Sequence, residues 1–427
     1  MSQKFVVGLF SVFLSVVLVS SCAAKSPAGA TSIKTQTDVS LADHNWDPFN
    51  KGKLEMFMAT YGKGSPGYNP ERPPYAVFDW DNTMVFLDVA EATLIYQLEN
   101  LRFAMTPEQM DKALHMEVPK SDFITEYNNA AGHPVNIDLI VADAVESYAW
   151  IYANYQGLKG NQSLSAVKMT PQYLNFITKV RYMYSAISDT FDTSIAYPWV
   201  LYVFTGMTEQ QVRQLTRESI DWQMTQPIKK VTWTSPASLP GKAGVVSVAW
   251  KNGLRLLPEM QDLFRAFRDA GMDVWVCTAS FVDLIKEISS NPAYGYHNPA
   301  DHVLGMELER DGNGIIQTEF RKGYAHTLGK GKTQAIRQFL LPKYGYGPFF
   351  VAGDSEGDIN MMQDFADTQL IMIINRLKGK DISIMSKKAV ETYGNPDARI
   401  LLQGRNDNTG EFVKSQSFIK YDDSKHP

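Results

Sequence analysis

From residue 251 onward, short apolar runs alternate with amphipathic stretches, and that rhythm restricts the fold more than anything else in the chain. Val274-Trp275-Val276-Cys277, Phe349-Phe350-Val351-Ala352 and Gln369 to Ile374 have the length and apolarity of strands buried on both faces. Pro258 to Ala270 has helical apolar spacing and stops at Gly271, a C-cap position. Phe281 to Ser289 and Lys332 to Leu341 read as further helices, and Asp311-Gly312-Asn313-Gly314 as a hairpin turn. Far upstream, Tyr75-Ala76-Val77-Phe78 is one more buried-strand run, and it ends at Asp79. Strands alternating with helices imply an α/β class: a Rossmann-like parallel sheet with helices on both faces. Ligands of such sheets sit beyond the carboxyl ends of the strands.

The stretch between the first strand and this rhythm has another character. Residues 88–103, 140–156, 171–188 and 208–223 have helix-like apolar spacing, and 229–252 looks extended. Aromatics are dense there, among them Tyr148, Trp150, Tyr173, Tyr184, Tyr197, Trp199 and Trp233. The expected organisation is therefore a core of residues 51–87 plus 251–427, interrupted by a large, mainly helical insert over 88–250. The 427 residues are enough for roughly two to three domains.

The amino terminus carries an address. Lys4 precedes an apolar run from Phe5 to Val19, and Ser20-Ser21-Cys22 follows. This reads as a lipoprotein-type signal peptide over 1–21, with Cys22 as the lipidation site. A plain signal peptide cut near Ala24 is the alternative. Either reading makes the protein exported, and the first anchors it to a bacterial membrane, facing periplasm or exterior. Residues 22–50 read as a flexible tether. A net charge of −5 argues against a nucleic-acid binder. Cys22 and Cys277, the only cysteines, form no disulfide framework. No feature points to a protein partner.

Four clusters at strand or helix ends could carry chemistry. Asp79-x-Asp81-x-Thr83 offers a carboxylate nucleophile and a second carboxylate for acid–base work. Alone, the pattern is more often a turn. Thr278 and Ser280 each place a hydroxyl after a strand, and either could meet a phosphoryl oxygen. Gly329-Lys330-Gly331-Lys332-Thr333 opens a helix with a lysine, which an adjacent anion would explain. It is not a P-loop: the sixth residue before Lys332 is His326, not glycine. Gly353-Asp354-Ser355-Glu356-Gly357-Asp358 supplies carboxylates suited to a hard cation such as Mg²⁺. Each cluster is weak alone, but their order at successive element ends is rare by chance.

The set Asp79, Asp81, Thr83, Thr278, Lys332, Asp354 and Asp358 resembles the signature of the haloacid dehalogenase (HAD) superfamily of phosphatases. Cys277-Thr278-Ala279-Ser280-Phe281, Gly345-Tyr346-Gly347-Pro348, Gly353-Asp354-Ser355 and Ile374-Asn375-Arg376-Leu377-Lys378 are similar to the phosphoserine phosphatase clade, and most to bacterial phosphorylcholine phosphatases. The likeness covers roughly 70–90 and 251–415. It implies Asp79 as nucleophile forming an aspartyl-phosphate and Asp81 as general acid/base. It implies Asp79, the Asp81 carbonyl and Asp354 as Mg²⁺ ligands, with Asp358 behind them or on a metal water. Thr83, Thr278, Ser280 and Lys332 would meet the phosphoryl group.

The insert stands where the superfamily places a substrate-selecting cap. Asp88 and Glu91, on its first turn, would meet the cationic end of a substrate, helped by aromatic faces. The implied activity is hydrolysis of a small phosphorylated metabolite, phosphorylcholine first. Two readings stand beside it: a phosphoserine or broad-specificity phosphatase, and a surface lipoprotein that binds phosphorylated ligands without turnover. Ala279-Ser280, in place of paired glycines, weakens the case for phosphoserine.

Overall fold

The computed structural model describes residues 39–425. The proposed signal peptide 1–21 and the lipidation site Cys22 lie outside the described residues. Six parallel strands form the sheet: β1 (Tyr75–Phe78), β2 (Asp273–Phe281), β3 (Val303–Met306), β4 (Phe350–Gly353), β5 (Leu370–Ile374) and β6 (Ile400–Gln403), in the order β6-β5-β4-β1-β2-β3. β1 is central, paired with β4 through Val77 and Val351 and with β2 through Val77 and Trp275.

All four β1 residues are buried, and they alternate between two cores. Ala76 and Phe78 face the helix Pro258–Asp269, with Phe78 edge-on to Phe264 at 4.7 Å. Tyr75 and Val77 face Ile336, Leu340 and Met361. This two-sided burial is why the run is apolar without alternation. Gly271 ends the Pro258–Asp269 helix as expected. Its φ of +75° is left-handed, and its amide donates to Arg268 O at 2.8 Å.

Two expected boundaries move. β2 does not stop at Cys277 but runs to Phe281, with a register shift against β3 between Cys277 and Phe281. That irregularity carries Thr278 and Ser280 out of regular pairing. The helix expected from Lys332 begins at Lys330 and passes through a π-helical turn over Ile336–Leu340.

The insert holds four long helices, α1 (Val89–Asn100), α2 (Ile137–Asn154), α3 (Pro171–Thr190) and α4 (Glu209–Thr225), and a hairpin of Lys229–Thr234 with Ser247–Asn252. Tyr148, Tyr173, Tyr182, Trp199 and Tyr202 are buried and form its interior. Val85–Phe86 pairs antiparallel with Arg255–Leu256, joining the chain's exit to the insert with its return. Arg213 and Arg217 of α4 both pair with Glu287 on the helix Val282–Ser290 of the core.

Of the tether expected over 22–50, the described part packs on the core. Leu41 and Trp46 are buried, and Trp46 packs edge-on to Phe412 at 5.6 Å. Asp47 caps the helix Pro48–Tyr61, and Asn50 donates to Leu402 O at 2.9 Å. Buried aromatic area here outweighs the entropy of a free linker. Trp46→Ala should cost about 3–5 kcal/mol, read as a fall in the urea midpoint at unchanged slope. A change under ~0.5 kcal/mol, the usual surface effect, would return this segment to the tether.

Candidate active site

The loop after β1 is built to hold carboxylates. Asp79 N donates to Ala352 O at 2.9 Å, which extends the β1–β4 pairing by one residue. Trp80 then turns under the sheet end against Tyr296. Thr83 N and Met84 N return to Trp80 O at 3.1 and 2.7 Å. The turn passes through Asn82 at φ +61°, a conformation asparagine tolerates better than most residues.

Lys332 is the hub. Its buried ammonium donates to Asp79 Oδ1 at 2.5 Å and Asp358 Oδ1 at 2.7 Å. Gly331 allows this helix start, because a Cβ there would lie 1.5 Å from His326 O. Asp358 folds back under β4 and accepts from Asp354 N and Ser355 N at 3.0 and 3.1 Å. Gly353 makes room, since a Cβ would meet Asp358 side-chain atoms at 2.6 Å. Asp79, Asp354 and Asp358 thereby present oxygens all within 4.8 Å of one another. Such an oxygen-only donor set fits a hard divalent cation. Charge fits too. The cavity wall carries more carboxyl groups (Asp79, Asp81, Asp88, Asp354 and Asp358, with Glu91 paired to Arg181) than cations (Lys332, Arg376 and Lys378).

The expected site residues converge, with three differences. Thr83, expected among the phosphate contacts, is fully buried and donates to Asp79 Oδ2 at 3.1 Å and, weakly, to Asp354 Oδ1 at 3.4 Å. It orients carboxylates. Of the two hydroxyls left open, Ser280 lines the cavity and donates to Asp81 Oδ2 at 2.6 Å. Thr278 is wholly buried, reaches Asp81 only at 3.5 Å and accepts from Ser280 N. Glu91 does not present a free charge, because Arg181 of α3 pairs with it. Asp88 caps α1 through Glu91 N at 2.8 Å, and both residues line the cavity.

Arg376 was missed by sequence reasoning. It follows β5 and pairs with Asp354 Oδ2. The available signal was two basic residues, Arg376 and Lys378, at the carboxyl end of the strand beside β4. Cys277 is not a competing nucleophile, since burial pushes its thiol up to about 12.

The cavity measures about 220 Å³ and is walled by Asp79, Asp81, Lys332, Asp354, Arg376 and Tyr197, among others. A recess of about 90 Å³, lined by Asp88, Tyr184, Ser188 and Tyr197, shares Asp88, Tyr197, Ala279 and Ser280 with it. Burial first, then neighbouring carboxylates, pushes the Asp79 and Asp88 carboxyls well above their ordinary value. Burial also raises Asp81, against the hydrogen bond from Ser280. Burial lowers the Lys332 ammonium, but Asp358 and Asp79 outweigh it and hold it above its ordinary range.

The model of the haloacid dehalogenase-like hydrolases matches residues 229–363, a span with β2, β3, β4 and Lys332 but without Asp79. A phosphorylcholine phosphatase of Pseudomonas aeruginosa is 22% identical over 238 residues, 56% of this chain and 50% of that enzyme. The chain thus spans about half the length of that relative. A solved structure described as a conserved functionally unknown protein from Anaerococcus prevotii is 31% identical, with a TM-score of 0.85, over 91% of this chain and 100% of its own.

A carboxyl raised above its unfolded value favours folding while it holds its proton and opposes folding as pH rises through the folded value. Asp79, Asp81 and Asp88 are all raised, so the metal-free protein should lose stability from mild acid toward neutrality. Mg²⁺ needs the Asp79 carboxyl deprotonated. A hundredfold excess over Kd should add about 2.7 kcal/mol near pH 7.5 and clearly less near pH 5, read as the shift in Tm. Equal shifts at both pH values would refute the carboxylate site.

Proposed function

We propose that the chain is a haloacid dehalogenase-like hydrolase, as the match over residues 229–363 suggests, and a Mg²⁺-dependent phosphomonoesterase working through Asp79. The observation that carries this reading is the convergence of Asp79, Asp81, Ser280 and Lys332 on one cavity. The Asp79 carboxylate attacks phosphorus, and the ester oxygen leaves with a proton from Asp81. Water then gives a proton to Asp81 and releases phosphate from Asp79, restoring both groups. The raised Asp81 suits the donor role, because it keeps a proton where a free aspartate would not. Lys332 neutralises charge on the transferring group. Asp79 and Asp354 would hold Mg²⁺, with Asp358 behind. The ion would screen the repulsion between carboxylate and phosphate.

The substrate is read from the recess beyond Ser280. Asp88 and Tyr197 give it one carboxylate and one aromatic wall. The Tyr184 face is already taken by Arg181 at 5.0 Å. An anionic, aromatic recess suits a small cationic headgroup, and phosphorylcholine is the first candidate. Phosphoserine and broad-specificity hydrolysis are the alternatives. A non-catalytic lipoprotein that binds phosphorylated ligands is the reading of another class. Among the described residues no helix is long and apolar enough to cross a membrane. We place the protein outside the cytoplasm through lipidation at Cys22, which palmitate labelling lost in Cys22→Ala would support.

Purified protein should hydrolyse p-nitrophenyl phosphate with Mg²⁺, and Asp79→Asn should lower kcat by at least about 10³-fold. A fully active mutant would remove the aspartyl-phosphate route, and an inactive wild type that still binds phosphoesters would favour the binding lipoprotein. Among phosphorylcholine, phosphoethanolamine and phosphoserine, the first should show the highest kcat/KM. Asp88→Asn should raise KM for phosphorylcholine about tenfold, roughly 1.4 kcal/mol, while KM for p-nitrophenyl phosphate stays within about twofold. A preference for phosphoserine would overturn the choline assignment.

A further inference from the structure

We propose that Arg405 is a positioning residue for the nucleophile loop, and that Asp407 and Lys251 tie that loop to the strand by which the insert returns to the core. Arg405 lies just past the end of β6 and is only 1% exposed. Its NH1 donates to both Asn82 O and Asn82 Oδ1 at 3.3 Å. Asn82 stands between Asp81 and Thr83, at the left-handed point of the turn. Its amide is held from the other side by Leu87 O at 3.0 Å. Arg405 and Leu87 therefore grip both ends of the residue that sets the direction of Asp81. A left-handed non-glycine residue persists when its surroundings over-determine it. Without Arg405, the Asn82 carbonyl would lose its partner in a buried setting.

The remaining donors of Arg405 go to Asp407. Nε and NH2 meet Asp407 Oδ1 at 3.0 and 2.9 Å. Asp407 Oδ2 accepts from Lys251 Nζ at 2.6 Å. Lys251 belongs to Ser247–Asn252, the last strand of the insert. The Arg405 guanidinium also stacks over Phe86 at 4.9 Å, and Lys251 lies 5.8 Å from the same ring. Phe86 itself pairs with Arg255 where the insert rejoins the core. Burying a cation carries a desolvation cost that an apolar side chain in this space would avoid. What an apolar residue cannot supply is the pair of hydrogen bonds to Asn82.

The proposal rests on the phosphatase reading, so its test has one readout that does not need turnover. With p-nitrophenyl phosphate and Mg²⁺, Arg405→Ala should lose about 30- to 100-fold in kcat, the scale of a small misplacement of reacting groups, with KM within threefold. Guanidinium ion in solution should restore part of that loss. Arg405→Lys should fall between the two, because one ammonium cannot serve Asn82 and Asp407 together. Hydrogen exchange over residues 79–88 should quicken in Arg405→Ala while β1 stays protected. Unchanged kcat and unchanged exchange would overturn the proposal, as would a rise in KM at constant kcat. If Arg405→Ala does not fold, Arg405→Lys decides: wild-type kcat and exchange in that variant overturn the proposal. A wild type that turns nothing over sinks the phosphatase reading alone, and exchange over 79–88 still judges Arg405.

Discussion

Lys332 holds its ammonium between two carboxylates that would otherwise repel each other in a buried site. Asp79 and Asp358 arrive from different strands, and neither could be buried and ionised there without a cation 2.5 to 2.7 Å away. Much of the local architecture follows from this. The Lys332 helix must start beside the ends of β1 and β4, so Gly331 is pressed against His326 O. Asp358 must turn back under its own strand, which requires Gly353. Thr327 Oγ1 donates to Thr278 O at 2.6 Å and so fastens the approach to Lys332 to the irregular end of β2. Arg376 and Arg405 extend the same scheme, one countering Asp354 and the other holding the turn between Asp81 and Thr83.

Where local pattern decides structure, the sequence was readable. β1, β4 and β5 are apolar runs because both their faces are covered, and their ends could be read to within a residue or so. Gly271 closes its helix because only a left-handed residue completes that cap. The candidate site was legible as an ordered set of strand-end residues, although each motif was weak alone. What could not be read depends on contacts far apart in the chain. Glu91 looked free for a substrate cation, but Arg181, ninety positions away, takes its charge. Thr83 looked exposed to phosphate, but Asp79 and Asp354 enclose its hydroxyl. Trp46 looked like part of a tether until Phe412, from the far end of the chain, supplied its packing partner. β2 read as ending at Cys277 because Thr278-Ala279-Ser280 is not a strand-like string, yet the edge pairing with β3 resumes at Phe281.

The aromatic density of the insert gives a related lesson. A tyrosine or tryptophan at helical spacing serves packing before it serves recognition. Tyr148, Tyr173 and Tyr182 are spent on the interior. Even Tyr184, which does line the recess, already faces a cation in Arg181. The carboxylate and the free aromatic face available to the recess are therefore those of Asp88 and Tyr197. Asp88 is doubly constrained, because it caps α1 while α1 begins with Val89 N donating to Asp81 Oδ1 at 2.7 Å. The residue that would read the headgroup and the residue that would donate the proton are thus joined through one helix start.

How a substrate reaches this site follows from where the insert is pinned. Glu287, 1% exposed, receives both Arg213 and Arg217, so α4 is held to the core by charge-assisted bonds to a buried carboxylate. Breaking them would leave that carboxylate unpaired in the interior, so rotation of the whole insert away from the sheet is a costly way to open the cavity. Other residues around the cavity are more open. Tyr197 is 39% exposed, and Leu377 beside Lys378 is 72% exposed, while Asp79, Lys332 and Asp354 behind them are buried. The mouth therefore lies between the segment around Tyr197 and the loop after β5. Lys378 and Arg376 line the cavity beside this loop, so they would set positive charge against an anion that the carboxylates would repel.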